Sequence, residues 1–124
     1  MANVLVLAPH ADDETLGAGG TIAKHVDEGD DVSVVIATGP GAAAEEHPLF
    51  TQEEFDTVRS EASQSLKGLG VSTVTFGDLP AVTYPQEPIW QVNKEVHRLI
   101  AAHEPEILYV PFPYDLHGDH RALF

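Results

Sequence analysis

Val4-Leu5-Val6-Leu7-Ala8-Pro9-His10-Ala11-Asp12-Asp13-Glu14 is an apolar run that ends abruptly in one histidine and three acids. Short, rich in Val and Leu and closed by Pro9, residues 3–8 predict a buried strand. Apolar residues favour burial and three like charges do not. The strand therefore delivers the charges to its C-terminal end, a good place to hold a cation. The far end of the chain carries a counterpart, Asp115-Leu116-His117-Gly118-Asp119-His120. Whether the two clusters meet depends on the fold.

Outward from this strand, the pattern alternates. Residues 15–28 predict a helix with Leu16, Gly20, Ala23 and Val26 on one face and Gly29 as its stop. Glycines at 17, 19 and 20 are costly in a helix and imply close packing of its first turn on the sheet. Residues 31–37 predict a second strand, followed by a loop over 38–51. Thr51 with Glu54 forms a capping-box signature for a helix over 52–69, facing inward with Phe55, Val58, Ala62, Leu66 and Leu69. A third strand over 71–76 leads to a loop over 77–88. Pro88 suits the first turn of a helix over 88–103, which carries Ile89, Val92, Val96, Leu99 and Ile100 at helical spacing. Residues 106–110 predict a fourth strand, and 121–124 an incipient turn. With no repeat or linker, 1–124 reads as one domain.

Strands alternating with helices predict an α/β fold, a Rossmann-like three-layer α/β/α arrangement with a mostly parallel sheet. If strands 1 to 3 run outward and strand 4 returns beside strand 1, the order is 3-2-1-4. The crevice between the C-terminal ends of strands 1 and 4 is then the switch point where ligands bind. The two clusters follow those two strands, so they are expected to meet there.

Composition narrows the partners. The chain has 20 Asp and Glu against 6 Lys and Arg, a net charge of −14. Nucleic acid needs clustered basic residues, so the acidic balance argues against it as a partner, and against anionic membrane surfaces for the same reason. Solubility accounts for the charge, and a salt-adapted host is a second account. The absence of cysteine excludes disulfides and thiolate metal sites. With no run of membrane-spanning length and no basic signal segment, the expected location is cytoplasmic.

His10 and Asp13 lie three apart on a tight strand-to-helix turn, which lets an imidazole and a carboxylate converge on one ion. His120 would complete a His-Asp-His set, and three N/O ligands with an open position describe a catalytic zinc site. Such a metal lowers the pKa of its bound water and polarises a carbonyl. Asp12 would then point elsewhere and serve as general base. His117 could stabilise a developing oxyanion or protonate a leaving amine, and Asp119 could orient a histidine. The bland alternatives are an acidic N-terminal helix cap at 12–14 and ordinary loop histidines at 117 and 120. Coincidence of both clusters at one switch point disfavours them.

The remaining candidates weigh less. Gly17-Ala18-Gly19-Gly20 does not fit G-x-G-x-x-G, and the acids beside it would repel a pyrophosphate. His25, His97 and His103 read as surface residues, and Trp90 as core. His47, in the loop over 38–51, is a candidate substrate contact. Arg59 is either a solvated helix charge or an anchor for a substrate hydroxyl or phosphate.

Pro9-His10-Ala11-Asp12-Asp13-Glu14 resembles the P-H-P-D-D-E signature of the LmbE-like, or PIG-L, zinc-dependent de-N-acetylases. Leu16-Gly17-Ala18-Gly19-Gly20-Thr21-Ile22-Ala23, Arg59-Ser60-Glu61-Ala62 and His117-Gly118-Asp119-His120-Arg121-Ala122 are similar to the family's later motifs, in order. The resemblance covers essentially the whole chain; Ala11 departs from the usual proline. It implies His10, Asp13 and His120 as metal ligands and Asp12 as base. It further implies His117 as the residue stabilising the tetrahedral intermediate, with Asp119 as its tuning partner. The implied reaction is hydrolysis of an N-acetyl group from an N-acetylglucosamine-type substrate, a small amino sugar, with release of acetate. Family members usually continue well past the last motif, so the resemblance implies the N-terminal part of the usual domain. Strand 4 would then be an open edge unless a second copy covers it.

Two other classes compete. A phospho-receiver module also places an acidic pair after strand 1, as Asp12-Asp13 could be. It needs a phosphorylatable Asp after strand 3, for which Asp78 is a poor fit, and a fifth strand that the pattern lacks. Two histidines and one carboxylate also form the facial triad of non-haem iron(II) sites, so Fe2+ could occupy the same residues.

Overall fold

The computed structural model describes residues 1–11, 13–39, 52–80 and 88–124. In chain order it contains β1 (Asn3–Ala8), α1 (Asp13–Asp27), β2 (Asp31–Gly39), α2 (Gln52–Gly68), β3 (Thr73–Pro80), α3 (Ile89–His103), β4 (Ile107–Tyr109) and α4 (Gly118–Leu123). The four strands form one sheet in the order β3-β2-β1-β4, with every pairing parallel.

Alternation along β1 builds the layers. Val4, Val6 and Ala8 face α1 and α2, packing with Ile22, Ala62 and Leu66. Leu5 and Leu7 face the other way, toward Val92 and Leu99 of α3 and Leu123 of α4. All five β1 residues from Val4 to Ala8 are buried, which is why the strand reads as an unbroken apolar run. Each Val or Leu so buried contributes about 1.5–3 kcal/mol, and β1 lies inside the sheet between β2 and β4.

Several expectations are corrected. α1 starts at Asp13, two residues early, because the Asp13 amide bonds the His10 carbonyl at 3.3 Å. Its inward face is Ala18, Ile22 and Val26, whereas Gly20 and Ala23 are exposed. An added methyl at Gly17 or Gly20 would meet nothing within 4 Å among the described residues, so close packing on the sheet does not explain them. On α2, Ala62 and Leu66 are buried but Val58 is exposed. The side chains of Leu16 and Phe55, and Thr51 of the capping box, lie outside the described residues.

β3 begins and ends later than expected. The Val71 amide still bonds the Leu66 carbonyl of α2, and the Ser72 amide bonds the Val32 carbonyl of β2, so these two residues lead from the helix into the sheet. The strand then runs through Gly77-Asp78, a pair that resembles turn punctuation. A register shift between Ile36 and Thr38 lets β2 extend to Gly39 opposite Pro80. At Gly77 an added Cβ would lie 2.7 Å from the Ala37 carbonyl oxygen, so here glycine serves close strand approach.

Trp90 is not core. It is 62% exposed and its neighbour Ile89 is 77% exposed, because α3 turns Val92 and Leu99 inward instead. His25 is not a surface residue either. Its Nδ1 lies 2.6 Å from Asp30 and its Nε2 2.9 Å from the Tyr109 hydroxyl, tying the end of α1 to the turn before β2 and to β4. His103 is half-buried and bonds the Leu99 carbonyl, whereas His97 is exposed as expected. No helix among the described residues is long and apolar enough to cross a membrane.

Candidate metal centre

β1 and β4 run side by side, with Val6 paired to Tyr109. The chain leaving β1 therefore emerges beside the chain leaving β4. From the first come His10 and the opening residue of α1, Asp13. From the second come Asp115, His117, and Asp119 and His120 of α4. The two clusters meet at the switch point.

One ligand atom from each of His10, Asp13 and His120 lies within 4.8 Å of the others. The Asp13 Oδ2 is 3.3 Å from Nδ1 of His10 and 3.1 Å from Nε2 of His120. It also accepts the His10 amide at 3.0 Å, which locks the turn between β1 and α1. The ring of His117 lies 4.8 Å from that of His10 and 5.1 Å from that of His120, centroid to centroid.

Each histidine of the set is backed by a carboxylate. Asp119, with no solvent exposure, places Oδ2 2.7 Å from Nε2 of His10. Asp115 places Oδ2 3.1 Å from Nδ1 of His120. Asp115 Oδ1 also accepts the His117 amide at 2.9 Å. Nδ1 of His117 accepts the Asp119 amide at 3.1 Å, which leaves the proton of the neutral ring on Nε2. Arg121 holds the loop by donating to the carbonyls of Asp115 and Leu116.

The electrostatics follow. Burial opposes charge on His10, but its hydrogen bonds and ion pairs with Asp119 and Asp13 outweigh that and raise its pKa to about 9. Burial likewise works against the Asp13 carboxylate, yet His10 and His120 hold it below the usual range. The His117 amide, joined by His120, outweighs the opposing effect of burial and keeps Asp115 low as well.

These residues fit a divalent cation of the zinc type. The donors are two imidazoles and one carboxylate, and carboxylates brace the far nitrogens of both rings, the usual support for metal-ligating histidine. A cavity of about 490 Å³ opens beside the cluster, and Asp13, Asp115, His120, Gly17, Tyr109 and Phe112 are among its lining residues.

Asp12 and His47 lie outside the described residues. Arg59 does not line this cavity. It sits on α2 with its guanidinium 5.5 Å from the Phe76 ring, and its buried Nε has no hydrogen-bond partner among the described residues. Asp119 reaches His117 through its backbone amide and His10 through its carboxylate, a division the motif did not reveal. Asp115 opens the cluster in the sequence but was given no role there, although an Asp whose side chain accepts the amide two residues on is a common turn signal.

The sequence pattern of the PIG-L family, described as GlcNAc-PI de-N-acetylase, matches residues 5–124. The chain is 33% identical over 124 residues to the diacetylchitobiose deacetylase of Thermococcus kodakarensis, covering 95% of this chain and 45% of that protein. Among solved structures, it resembles the N,N'-diacetylchitobiose deacetylase of Pyrococcus horikoshii, bound to an inhibitor. There the TM-score is 0.77 and the identity 29%, with 98% of this chain and 46% of the other covered. It also resembles GalB, the 4-carboxy-2-hydroxymuconate hydratase of Pseudomonas putida, with TM-score 0.75 and 26% identity, covering 97% and 51%. The chain thus spans about half the length of the relatives it matches.

Proposed function

The chain belongs to the PIG-L, GlcNAc-PI de-N-acetylase, family, and from that premise we propose that it serves a zinc-dependent hydrolase removing the N-acetyl group of an N-acetylglucosamine-type substrate. The observation that carries this reading is the convergence of His10, Asp13 and His120, with Asp119 and Asp115 behind the two rings. Zn2+ would be held by those three side chains, and Fe2+ could replace it there. A divalent ion in that position supplies Lewis-acid polarisation of the acetyl carbonyl and of water.

The chain's own residues supply the rest. Asp12, next to Asp13, takes the proton from the attacking water as its oxygen bonds the acetyl carbon. The Nε2 proton of His117 hydrogen-bonds the oxyanion that develops there. As the carbon–nitrogen bond breaks, the proton passes to the departing amine, leaving acetate and a free amino sugar. Diacetylchitobiose-like oligosaccharides are the first substrates to test, because two relatives carry that activity in their names. Arg59 and His47 are proposed substrate contacts.

Metal content and acetate release test the reading together. The zinc-loaded protein should hold about one ion per chain and release acetate from an N-acetylglucosamine oligomer, and His10→Ala should abolish both. A protein that takes up no zinc overturns the metal reading. One that binds zinc yet releases no acetate from any N-acetyl sugar, as chain or as part of a longer protein, overturns the deacetylase. The hydratase relative shows that this fold hosts other reactions.

A further inference from the structure

We propose that Asp115 is a positioning residue that sets which nitrogen of His120 faces the metal and holds His117 in step with it. The proposal rests on the zinc reading above and deepens it. One carboxylate serves two donors at once. Its Oδ2 lies 3.1 Å from Nδ1 of His120, and its Oδ1 accepts the His117 amide at 2.9 Å.

The first contact decides the tautomer. Both carboxylates beside His120 can only accept, and each lies 3.1 Å from one ring nitrogen; with a cation on the Asp13 side, Asp115 is the acceptor left to keep the proton of His120 on Nδ1. The lone pair is then on Nε2, the atom 3.1 Å from Asp13. The second contact decides place. It anchors the His117 backbone, and the His117 ring in turn accepts the Asp119 amide at 3.1 Å. Both histidines of the motif are thereby registered on one side chain, and Arg121 clamps the same segment by bonding the carbonyls of Asp115 and Leu116. Asp115 also lines the cavity beside Asp13 and His120, so its support is given within the site.

Asparagine separates the two contacts. Its amide has one acceptor oxygen, so it can serve the His117 amide or Nδ1 of His120, but not both. Keeping the turn puts its NH2 against His120 and favours the tautomer with the proton on Nε2, which cannot bind metal.

The test is zinc affinity, measured by competition with a chromophoric chelator at fixed pH, on wild type, Asp115→Ala and Asp115→Asn. Far-UV circular dichroism checks folding. Both variants should bind zinc about 10–100-fold more weakly, the usual effect of losing such a brace. The Co2+-loaded forms should show altered d–d absorption. Asp115→Asn binding zinc as tightly as wild type would overturn the proposal, because a residue that merely supports the turn is rescued by the amide. If Asp115→Ala does not fold, Asp115→Asn alone decides. Wild-type protein that takes up no zinc sinks both the metal reading and this inference. Wild-type binding with Asp115→Asn unaffected sinks only the inference.

Discussion

The carboxylate of Asp119 meets Nε2 of His10 at 2.7 Å across 109 residues of chain. Asp119 is wholly buried and the His10 side chain is 21% exposed. A buried carboxylate left without its partner is costly, and so is the reverse. In chelator-treated protein, Asp119→Ala should lower unfolding free energy by about 3 kcal/mol. His10→Ala, Asp119→Ala and the double variant, compared by urea denaturation, should be non-additive by about 1–3 kcal/mol. Additive losses would mean that the contact contributes no coupling.

The same pair makes stability pH-dependent. The pKa of His10 is about 9 in the folded protein against its ordinary 6.5. The folded state therefore binds the proton more tightly than the unfolded chain. That contribution is fully present below pH 6.5 and is lost as pH rises through about 9. Asp13 works in the opposite sense: its lowered pKa contributes above the ordinary 3.8 and is lost as acid protonates it. The urea midpoint of metal-free protein should fall between neutral pH and pH 9, and His10→Ala should flatten that slope. Zinc binding near neutral pH should release protons, visible as buffer-dependent heats in calorimetry. A midpoint unchanged over that range would refute the assignment.

Gly77 offers a test of the sheet. A Cβ there would stand 2.7 Å from the Ala37 carbonyl oxygen and 3.1 Å from the Ala37 Cα, both backbone atoms that cannot swing aside. Gly77→Ala should destabilise the fold by about 1–3 kcal/mol, as forced overpacking does. Thermal melting that matches wild type would show that β2 and β3 separate easily at this register shift.

At the other end of β1, His25 links Asp30 to the Tyr109 hydroxyl. Tyr109→Phe removes one hydrogen bond to a half-buried ring and should cost about 0.5–1.5 kcal/mol. Because this network shares no residue with the metal set, zinc affinity should stay within about twofold of wild type. A larger loss of affinity would tie β4 more closely to the centre than these contacts do.

How much of this was legible in the sequence varies by element. β1 was, because a strand buried on both faces must be apolar at every position. The strand order 3-2-1-4 was one arrangement that right-handed crossovers allow, and the sheet has that order. The inner face of α1 was legible in part: Val26 lies on it, but Gly20 and Ala23 are exposed, because they compete with Ala18 and Ile22 at the same helical period. Only the sheet beneath chooses Ile22. Trp90 was misplaced for a similar reason: hydrophobicity favours burial, but it does not say that a partner is in reach.

The sequence by itself determined which chemistry the site can hold: imidazoles and carboxylates, no thiolates, delivered after strands 1 and 4. Only the tertiary structure decided how they are paired. His10 turns Nε2 to Asp119 and His120 turns Nδ1 to Asp115, leaving the opposite nitrogens of the two rings toward Asp13. Spacing along a chain constrains where a ring can sit. Which of its nitrogens is free depends on the hydrogen bond made by the other, and here those bonds come from carboxylates that folding sets behind each ring.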